Sequence, residues 1–563
     1  MNAPLPIPPI WTTGTTEGIH TGTWRAATPR HIAAPSPCHQ ACPVGGEIAR
    51  WIGQARAGDL QGAWETLVRH NPFPAIAGRI CHHPCESACN RGGHDEVLSI
   101  CRLERYVGDA AIEQGWAVPV PALPHAGRVA VVGGGPAGLS AAWQLRRLGH
   151  AVTIFEAADE LGGVMRHGIP AYRLSRRVLD AEIARVVELG VEVRCGQAVQ
   201  GEAAFAALAR DFDAVFVALG AQRPRGLPQL DDGKPWVMDG ARYLAACSRG
   251  APPPLGRRVV VVGGGSAAID VARSARRQGH AVTLLALERE AQMPAQRDEV
   301  VEALEEGIEL VDGAMLRAVQ EADDPGDAAG TLALQCVRVG FEPGAERGSF
   351  RLTPIDGSDF SLAADAVLVA IGQDPRLADL GDAWRRQGAL LWTDDTGLTS
   401  DARVWAGGDL TSMARFVTEA VGMGARTARA IDRALRARAA DAAAPQPPCG
   451  EAAEPVVPLS AISLYYHPKR GRTASPRRAP AERVADQGEV QLGLTPAQAQ
   501  AEAERCFSCG SCIQCDQCVT YCPDLAVQRV GDGYRVNTDY CKGCGVCVRE
   551  CPTGSMAMSE DTK

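Results

Sequence analysis

Two stretches of the chain repeat one pattern of apolar and polar positions. Arg128-Val-Ala-Val-Val132 and Arg258-Val-Val-Val-Val262 are β-branched runs, each followed by a glycine turn and then an amphipathic segment. An unbroken apolar run of this length reads as a strand buried on both faces, and the change to a helical period marks a β-turn-α unit. Ala-Val-Thr recurs at 151–153 and at 281–283, as the second strand of each unit. The starts lie 130 residues apart, which indicates two copies of one domain type rather than a solenoid repeat. Helical periodicity marks Glu47–Arg56, Leu60–Arg69, Thr418–Arg433 and about 495–505. Val118–Pro124 is proline-rich, and 437 to about 460 is rich in Ala and Pro, so both read as linkers. Basic residues crowd 469–483.

The longest apolar windows, Val129–Ala142 and Val259–Ala268, are broken by glycine triplets, so no membrane span is expected. Met1–Trp11 holds several prolines and no basic residue, unlike a secretory signal. The length of 563 residues allows roughly four domains, and 46% hydrophobic residues with a net charge of −9 describe an ordinary globular chain for which nucleic acid is an unsuitable partner. The 20 cysteines do not fit that ordinary composition. Six fall between Cys38 and Cys101 and ten between Cys506 and Cys551; only Cys195, Cys247, Cys336 and Cys449 lie elsewhere. In a cytoplasmic chain such clusters read as metal ligands rather than disulfides.

The glycine turns carry the chemistry of dinucleotide binding. Small residues let the backbone approach a pyrophosphate, and the helix N-terminus adds partial positive charge. In the first turn Gly133, Gly135, Pro136, Ala137 and Gly138 form the phosphate loop, and Glu156 ends the second strand where an adenosine ribose would sit. In the second, Gly263, Gly265, Ser266, Ala267 and Ala268 take those places and Glu288 is the acid. A carboxylate there favours a free 2′-hydroxyl and repels a 2′-phosphate, which predicts NADH over NADPH; the alternative has Arg289 holding the phosphate. Gly163, Gly220, Gly372, Gly408 and Asp409 fall at strand ends and turns where a two-dinucleotide flavoprotein needs them, Asp409 being placed to bond a ribityl chain.

Cys512, Cys515, Cys518 and Cys522 form C-x2-C-x2-C-x3-C-P, as do Cys541, Cys544, Cys547 and Cys551. This is the bacterial ferredoxin run, in which the fourth cysteine serves the other cluster. One [4Fe-4S] set is therefore Cys512, Cys515, Cys518 and Cys551, and the other Cys541, Cys544, Cys547 and Cys522. Cys506 and Cys509 continue the spacing upstream, either as structural residues or as competing ligands.

Residues about 30 to 437 resemble the family that includes the small subunit of glutamate synthase, the N-terminal part of dihydropyrimidine dehydrogenase and the large subunit of NADH-dependent ferredoxin:NADP oxidoreductase. The matching stretches are Gly78-Arg-Ile-Cys-His-His-Pro-Cys-Glu-Ser-Ala-Cys89, Leu103-Glu-Arg-Tyr106, Gly168-Ile-Pro-Ala-Tyr-Arg-Leu174, Met293-Pro-Ala295, Ala370-Ile-Gly-Gln373 and Ala406-Gly-Gly-Asp409. The resemblance implies FAD in the first site and NAD(P) in the second, with the NAD domain inserted in the FAD domain. NADPH-using relatives carry an arginine pair where Leu287 and Glu288 stand here, a departure that agrees with NADH. It also implies one [4Fe-4S] cluster on Cys42, Cys81, Cys85 and Cys89. A second cluster in relatives uses cysteines upstream of Cys42 and a Gln or Glu at the position of Glu104. Here the upstream C-x2-C is missing, which leaves either a site on Cys38, Cys101 and Glu104 with one more ligand or no such cluster.

The fold class that follows is multi-domain α/β: an N-terminal α-helical iron–sulfur domain (1–125), a Rossmann-like FAD domain (126–253 and 368–437), an inserted Rossmann-like NAD domain (254–367), a linker (438–500) and an α+β ferredoxin-like domain (501–563). The predicted activity is electron transfer between NAD(P)H and a ferredoxin or partner redox subunit through FAD and three or four clusters. That partner is expected to be of 2-oxoacid oxidoreductase, sulfur-compound reductase or glutamate synthase type. The alternatives are a glutamate synthase-type electron-input chain and a non-catalytic electron-carrying scaffold. A disulfide reductase would need a C-x2-C in the nucleotide domains, where there is none.

Overall fold

The computed structural model describes residues 20–22, 25–119, 127–321, 332–344, 349–381, 383–439 and 455–560. Met1–Trp11, most of the proline-rich 118–124 segment, the middle of the Ala/Pro stretch and Cys449 lie outside the described residues.

Both β-branched runs form central strands of parallel sheets. The first sheet has the spatial order 404–406, 214–217, 128–132, 151–155, 192–194, and the second 309–311, 281–285, 258–262, 366–369, 237–239. Every pairing within them is parallel. Val129–Val132 and Val259–Val261 are all but fully buried, because both faces of each sheet are covered, those of the second by helices on one side and by a further sheet on the other. An antiparallel sheet of Ala314–Glu321, Leu332–Pro343 and Phe350–Ala364 packs Leu316, Leu334 and Cys336 against Val260, Val262 and Val367 of the second sheet.

The second sheet is inserted in the first, but with wider bounds than 254–367. Val237–Asp239 and all of Ala366–Val369 pair within it, and the helix Gly240–Ser248 packs on its helix Ser266–Arg277. The crossing point is the short antiparallel pair Arg223–Pro224 with Gln373–Asp374. Arg225 bonds Asp374 at 2.7 Å there, which fixes the two strands that lead into and out of the insertion.

The N-terminal helices Ile48–Arg56, Leu60–Val68, Pro74–Ile80 and Ile100–Glu113 share one core with the helices of the first sheet. Trp143 Nε1 donates to Val68 O at 2.9 Å, and the buried Glu182 accepts from Ala75 and Ile76 N, each at 2.9 Å, capping the helix Pro74–Ile80. Two further differences from the sequence reading concern the chain ends. Ala27–His31 pairs antiparallel with Met556–Glu560, so the first described strand completes the C-terminal ferredoxin-like unit. The helix Pro496–Ala503, with a capping box on Thr495 and Gln498, buries Ala499 and Ala503 in the N-terminal core.

Residues 455–494 are a strap rather than a linker. Val457 and Val490 are buried, and Val490 N bonds Tyr172 O at 2.9 Å. The strap lacks hydrophobic periodicity because ion pairs hold it. Glu489 lies between Arg79 (2.6 Å) and Arg105 (3.0 Å), whose side chains are 3% and 6% exposed. The basic stretch is spent in the same way: Arg470 pairs with Glu504, Arg472 with Glu86 and Arg483 with Glu305.

Replacing Glu489 by Ala leaves two nearly buried guanidiniums short of a partner, with Asp109 still serving both. The expected loss, read by chemical denaturation, is about 3 kcal/mol, the lower end for a broken buried pair. Burial raises the Glu489 pKa, but the Arg79 hydrogen bond and the charges of Arg79 and Arg105 outweigh it and hold it below the ordinary 4.5. Its stabilisation is therefore complete above pH 4.5 and falls as pH drops below that value, so the difference between wild type and Glu489→Ala should shrink in acid.

Candidate functional site

Each glycine loop joins a central strand to a helix that lacks a side-chain cap. Gly135 and Gly265 are the N-cap residues of Pro136–Arg147 and Ser266–Arg277, and neither helix has a side chain bonded to its first N–H groups. Those donors are left for an anion. Gly133 has φ +109° and a Cβ there would stand 2.4 Å from Ala218 O; a Cβ on Gly138 would stand 1.9 Å from Gly133 O. These two glycines serve backbone packing. A Cβ on Gly135 meets only Gly163 Cα, at 4.0 Å, and one on Gly265 meets nothing. The second glycine of each loop thus faces open space, the cradle a pyrophosphate would occupy. Ala268 fits as the third residue of the second loop and is fully buried.

Glu156 ends its strand with Oε2 accepting from Gly134 N at 2.7 Å and Oε1 from Ala158 N at 2.8 Å. Glu288 occupies the matching place, with Oε2 2.4 Å from where a Gly264 Cβ would be, and burial pushes its pKa up. Arg289 leans away over Gly313 and pairs with Asp312 at 3.5 Å. Gly162 N bonds Gly134 O at 2.9 Å, and Gly163, φ +52°, touches Gly135. Gly408, φ +73°, abuts Ala137 and so sets Asp409 beside the first loop. Burial raises the Asp409 pKa to about 6, against the opposing charge of Arg415. Gly220 turns the chain just past the strand Ala214–Val217, in open space. Gly372 instead lies at the inter-domain crossing, with its carbonyl taken by Arg225 N.

The helix Val417–Ala439 connects this site to the thiols. Its buried Thr418 places Oγ1 3.5 Å from Cys81 Sγ. Nearby, His82 stacks on Phe416 at 3.9 Å and reaches Ser266 Oγ at 3.4 Å, so the loop at 81–83 touches both nucleotide domains. Hydrophobic patterning carried no signal for Thr418 or His82, since both act across domain boundaries.

Cys42, Cys81, Cys85 and Glu104 face one another. Burial raises Cys42 to about 11, with added repulsion from Glu104 and Cys81. It drives Cys85 upward too, with Cys42, Cys81, Glu86 and Glu104 adding to it. Burial and the Cys81 charge bring Glu104 to about 8, against the Asn71 hydrogen bond. Cys81 is held down at about 7 by its hydrogen bond with Cys101, which outweighs burial, and by Thr418 and His83 N. Glu104 therefore stands where Cys89 was expected. Cys89 follows the short helix Pro84–Ser87 and opens the turn Asn90–Gly93, which carries it to another cavity with Cys38, Cys506 and Cys509. The grouping of Cys38, Cys101 and Glu104 is likewise not formed. Cys101, 1% exposed, points at Ala77 O behind Cys81 and has His83 and Glu86 within 4.8 Å.

In the C-terminal unit Cys522, Cys541, Cys544 and Cys547 line one cavity. Cys512, Cys515, Cys518 and Cys551 form the other group, in which burial and the neighbouring thiols raise Cys518 to about 12. Both groups combine three cysteines of one run with the fourth of the other. Sets of four converging sulfurs, or three with a carboxylate, fit the donor chemistry of an iron–sulfur cluster.

Residues 127–424 match the family described as pyridine nucleotide-disulphide oxidoreductase, residues 27–116 the dihydropyrimidine dehydrogenase domain II with a 4Fe-4S cluster, and residues 534–556 the 4Fe-4S binding domain. The chain is 34% identical over 506 residues to the NADP(+)-dependent formate dehydrogenase subunit beta of Moorella thermoacetica, covering 84% of this chain and 70% of that one. It is 34% identical over 432 residues to the glutamate synthase (NADPH) small chain of Mycobacterium tuberculosis, covering 71% and 85%. It is 30% identical over 403 residues to the NAD-dependent dihydropyrimidine dehydrogenase subunit PreT of Salmonella typhimurium, covering 71% and 91%. With more than half its length matched by one family, and with Cys38 to Cys101 and Cys541 to Cys551 inside the regions the other two describe, the chain belongs to the pyridine nucleotide-disulphide oxidoreductase family, as an iron–sulfur flavoprotein oxidoreductase that carries FAD, NAD(P) and 4Fe-4S clusters.

Proposed function

We propose that this chain takes electrons from NADH at the second dinucleotide site and delivers them to a ferredoxin or partner redox subunit in the cytoplasm. Bound FAD supplies the conversion of a hydride's electron pair into single electrons that clusters can carry. The observation that carries the reading is the contact of Thr418 with Cys81, which joins the helix flanking the first dinucleotide site to the first set of thiols. Gly133, Gly135, Gly138, Glu156, Gly163, Gly220, Gly408 and Asp409 would hold FAD, and Gly263, Gly265, Ser266, Ala267, Ala268 and Glu288 the nicotinamide nucleotide. Gly372 would act at the crossing between the two domains. Cys42, Cys81, Cys85 and Glu104 would hold one cluster and the two C-terminal quartets the others. No side chain need move a proton, so the residues' work is placement and exclusion of water.

Disulfide exchange finds no support in the thiols of the matched region. Cys195, Cys247 and Cys336 border three different apolar cores. The partner reading rests on relatives named as subunits of larger enzymes. The cytoplasmic reading rests on the clustered thiols, which a reducing compartment keeps available as metal ligands. Among the described residues no helix is long and apolar enough to cross a membrane.

Glu288 predicts the nucleotide preference. A 2′-phosphate held within about 4 Å of this carboxylate loses roughly 1 kcal/mol or more per unit charge even in water. Steady-state kinetics should give a kcat/KM for NADH about tenfold above that for NADPH; a preference for NADPH would remove this reading. The cradles predict a second pair of outcomes. Gly135→Val should yield protein lacking FAD, seen in the visible spectrum, while Gly265→Val should retain FAD that NADH no longer bleaches. Normal bleaching in either variant would exclude the site assignments.

A further inference from the structure

Cys506 and Cys509 precede the ferredoxin runs and belong to neither of their quartets. They line a cavity with Cys38 and Cys89, whose floor is formed by Ile52, Leu98 and Ile100. The four cysteines come from opposite ends of the chain. Cys38 lies on the short helix Pro37–Ala41, which ends at Cys42, and Cys89 lies four residues after Cys85, so both are tied by short segments to ligands of the neighbouring set.

The loop that presents Cys506 and Cys509 has the same build as the ferredoxin loops. Ser508, φ +54°, donates its N–H to Cys506 Sγ at 3.4 Å. Gln514, φ +54°, does so to Cys512 at 3.5 Å, and Gly543, φ +69°, to Cys541 at 3.4 Å. A non-glycine residue in the left-handed region is uncommon, and in Ser508 and Gln514 it serves one purpose, turning an N–H onto a sulfur. Two more donors reach this cavity's thiols: Asn90 Nδ2 lies 3.5 Å from Cys509 Sγ, and Ser36 Oγ 3.1 Å from Cys38 Sγ. Such outer bonds orient and tune cluster thiolates. Gly510, φ +71°, fixes the loop from both sides, with its N–H on Thr553 O at 2.7 Å and its carbonyl accepting from Ala34 N.

We propose that Cys38, Cys89, Cys506 and Cys509 are the four ligands of a further [4Fe-4S] cluster, one whose site exists only when the two ends of the chain are folded together. The sulfurs stand around a cavity, whereas a single zinc ion would draw all four to about 2.3 Å from one point. Short segments join the site to both neighbours, Cys38–Cys42 and Cys85–Cys89 to the Cys42, Cys81, Cys85, Glu104 set, and the two residues between Cys509 and Cys512 to the C-terminal pair. The N-terminal segment lacks a C-x2-C, and the C-terminal segment has one to spare. Binding here would also tie the ferredoxin-like unit to the helical domain, since ligand binding to the folded form alone is folding free energy.

The test is metal and sulfide analysis of the full chain purified without oxygen, with EPR after dithionite reduction. Unaltered protein should hold about 16 iron and about 16 labile sulfide with no zinc, and Cys506→Ser/Cys509→Ser about 12 of each, with one reduced-cluster signal lost. Cys38→Ser, at the other end of the chain, should lose the same signal, so failure of either variant to fold leaves the other to decide. About 12 iron in the unaltered protein, with or without one zinc, would overturn the proposal, as would full iron in both variants. Dithionite reduction does not depend on nucleotide, so full iron without reduction by NADH would overturn the proposed function and leave this site standing.

Discussion

The close approach of one helix to three other parts of the chain is the constraint on which the rest depends. The helix Val417–Ala439 carries glycine where contact is tightest. A Cβ on Gly422 would stand 2.2 Å from Pro43 O, next to Cys42, and one on Gly424 2.2 Å from Ala137 O, on the first phosphate loop. One turn earlier Thr418 reaches Cys81. A larger residue at either glycine would separate the dinucleotide site from the thiols, and electron transfer falls steeply with such separation. Packing of small residues is therefore what makes a nucleotide fold and a cysteine-rich helical domain into one device.

A second principle, charge pairing, holds what hydrophobic packing does not. Arg79 and Arg105 with Glu489 and Asp109, and Arg505 with Glu502 and Asp95, are largely removed from water. Buried ions of one sign are costly, so each such guanidinium requires its carboxylate, and the requirement fixes where the strap crosses the domains. In this way a stretch with no apolar period is as firmly placed as a strand. The same segment brings the helix Pro496–Ala503 and the Cys506 loop against the N-terminal core.

The structure corrects the sequence reading where residues distant along the chain meet. The family resemblance groups Cys89 with Cys42, Cys81 and Cys85, yet the turn Asn90–Gly93 faces it toward Cys509, where Asn90 bonds a sulfur across 419 residues. Glu104 takes its place because the helix Ile100–Glu113 packs on Pro74–Ile80 and presents that carboxylate to Cys81. The inserted domain begins before its own glycine loop, as Val237–Asp239 is too short a strand to show a period.

The two dinucleotide folds, the placement of their acids at strand ends and the ferredoxin pairing are legible along the chain. Each of these depends on residues within about 40 positions, whose geometry follows from strand, turn and helix periods. Which thiols share a cavity, where the insertion starts and how the strap is held emerge from the folded chain alone. Those depend on side chains hundreds of residues apart, and spacing along a chain carries no information about which surfaces fold against each other.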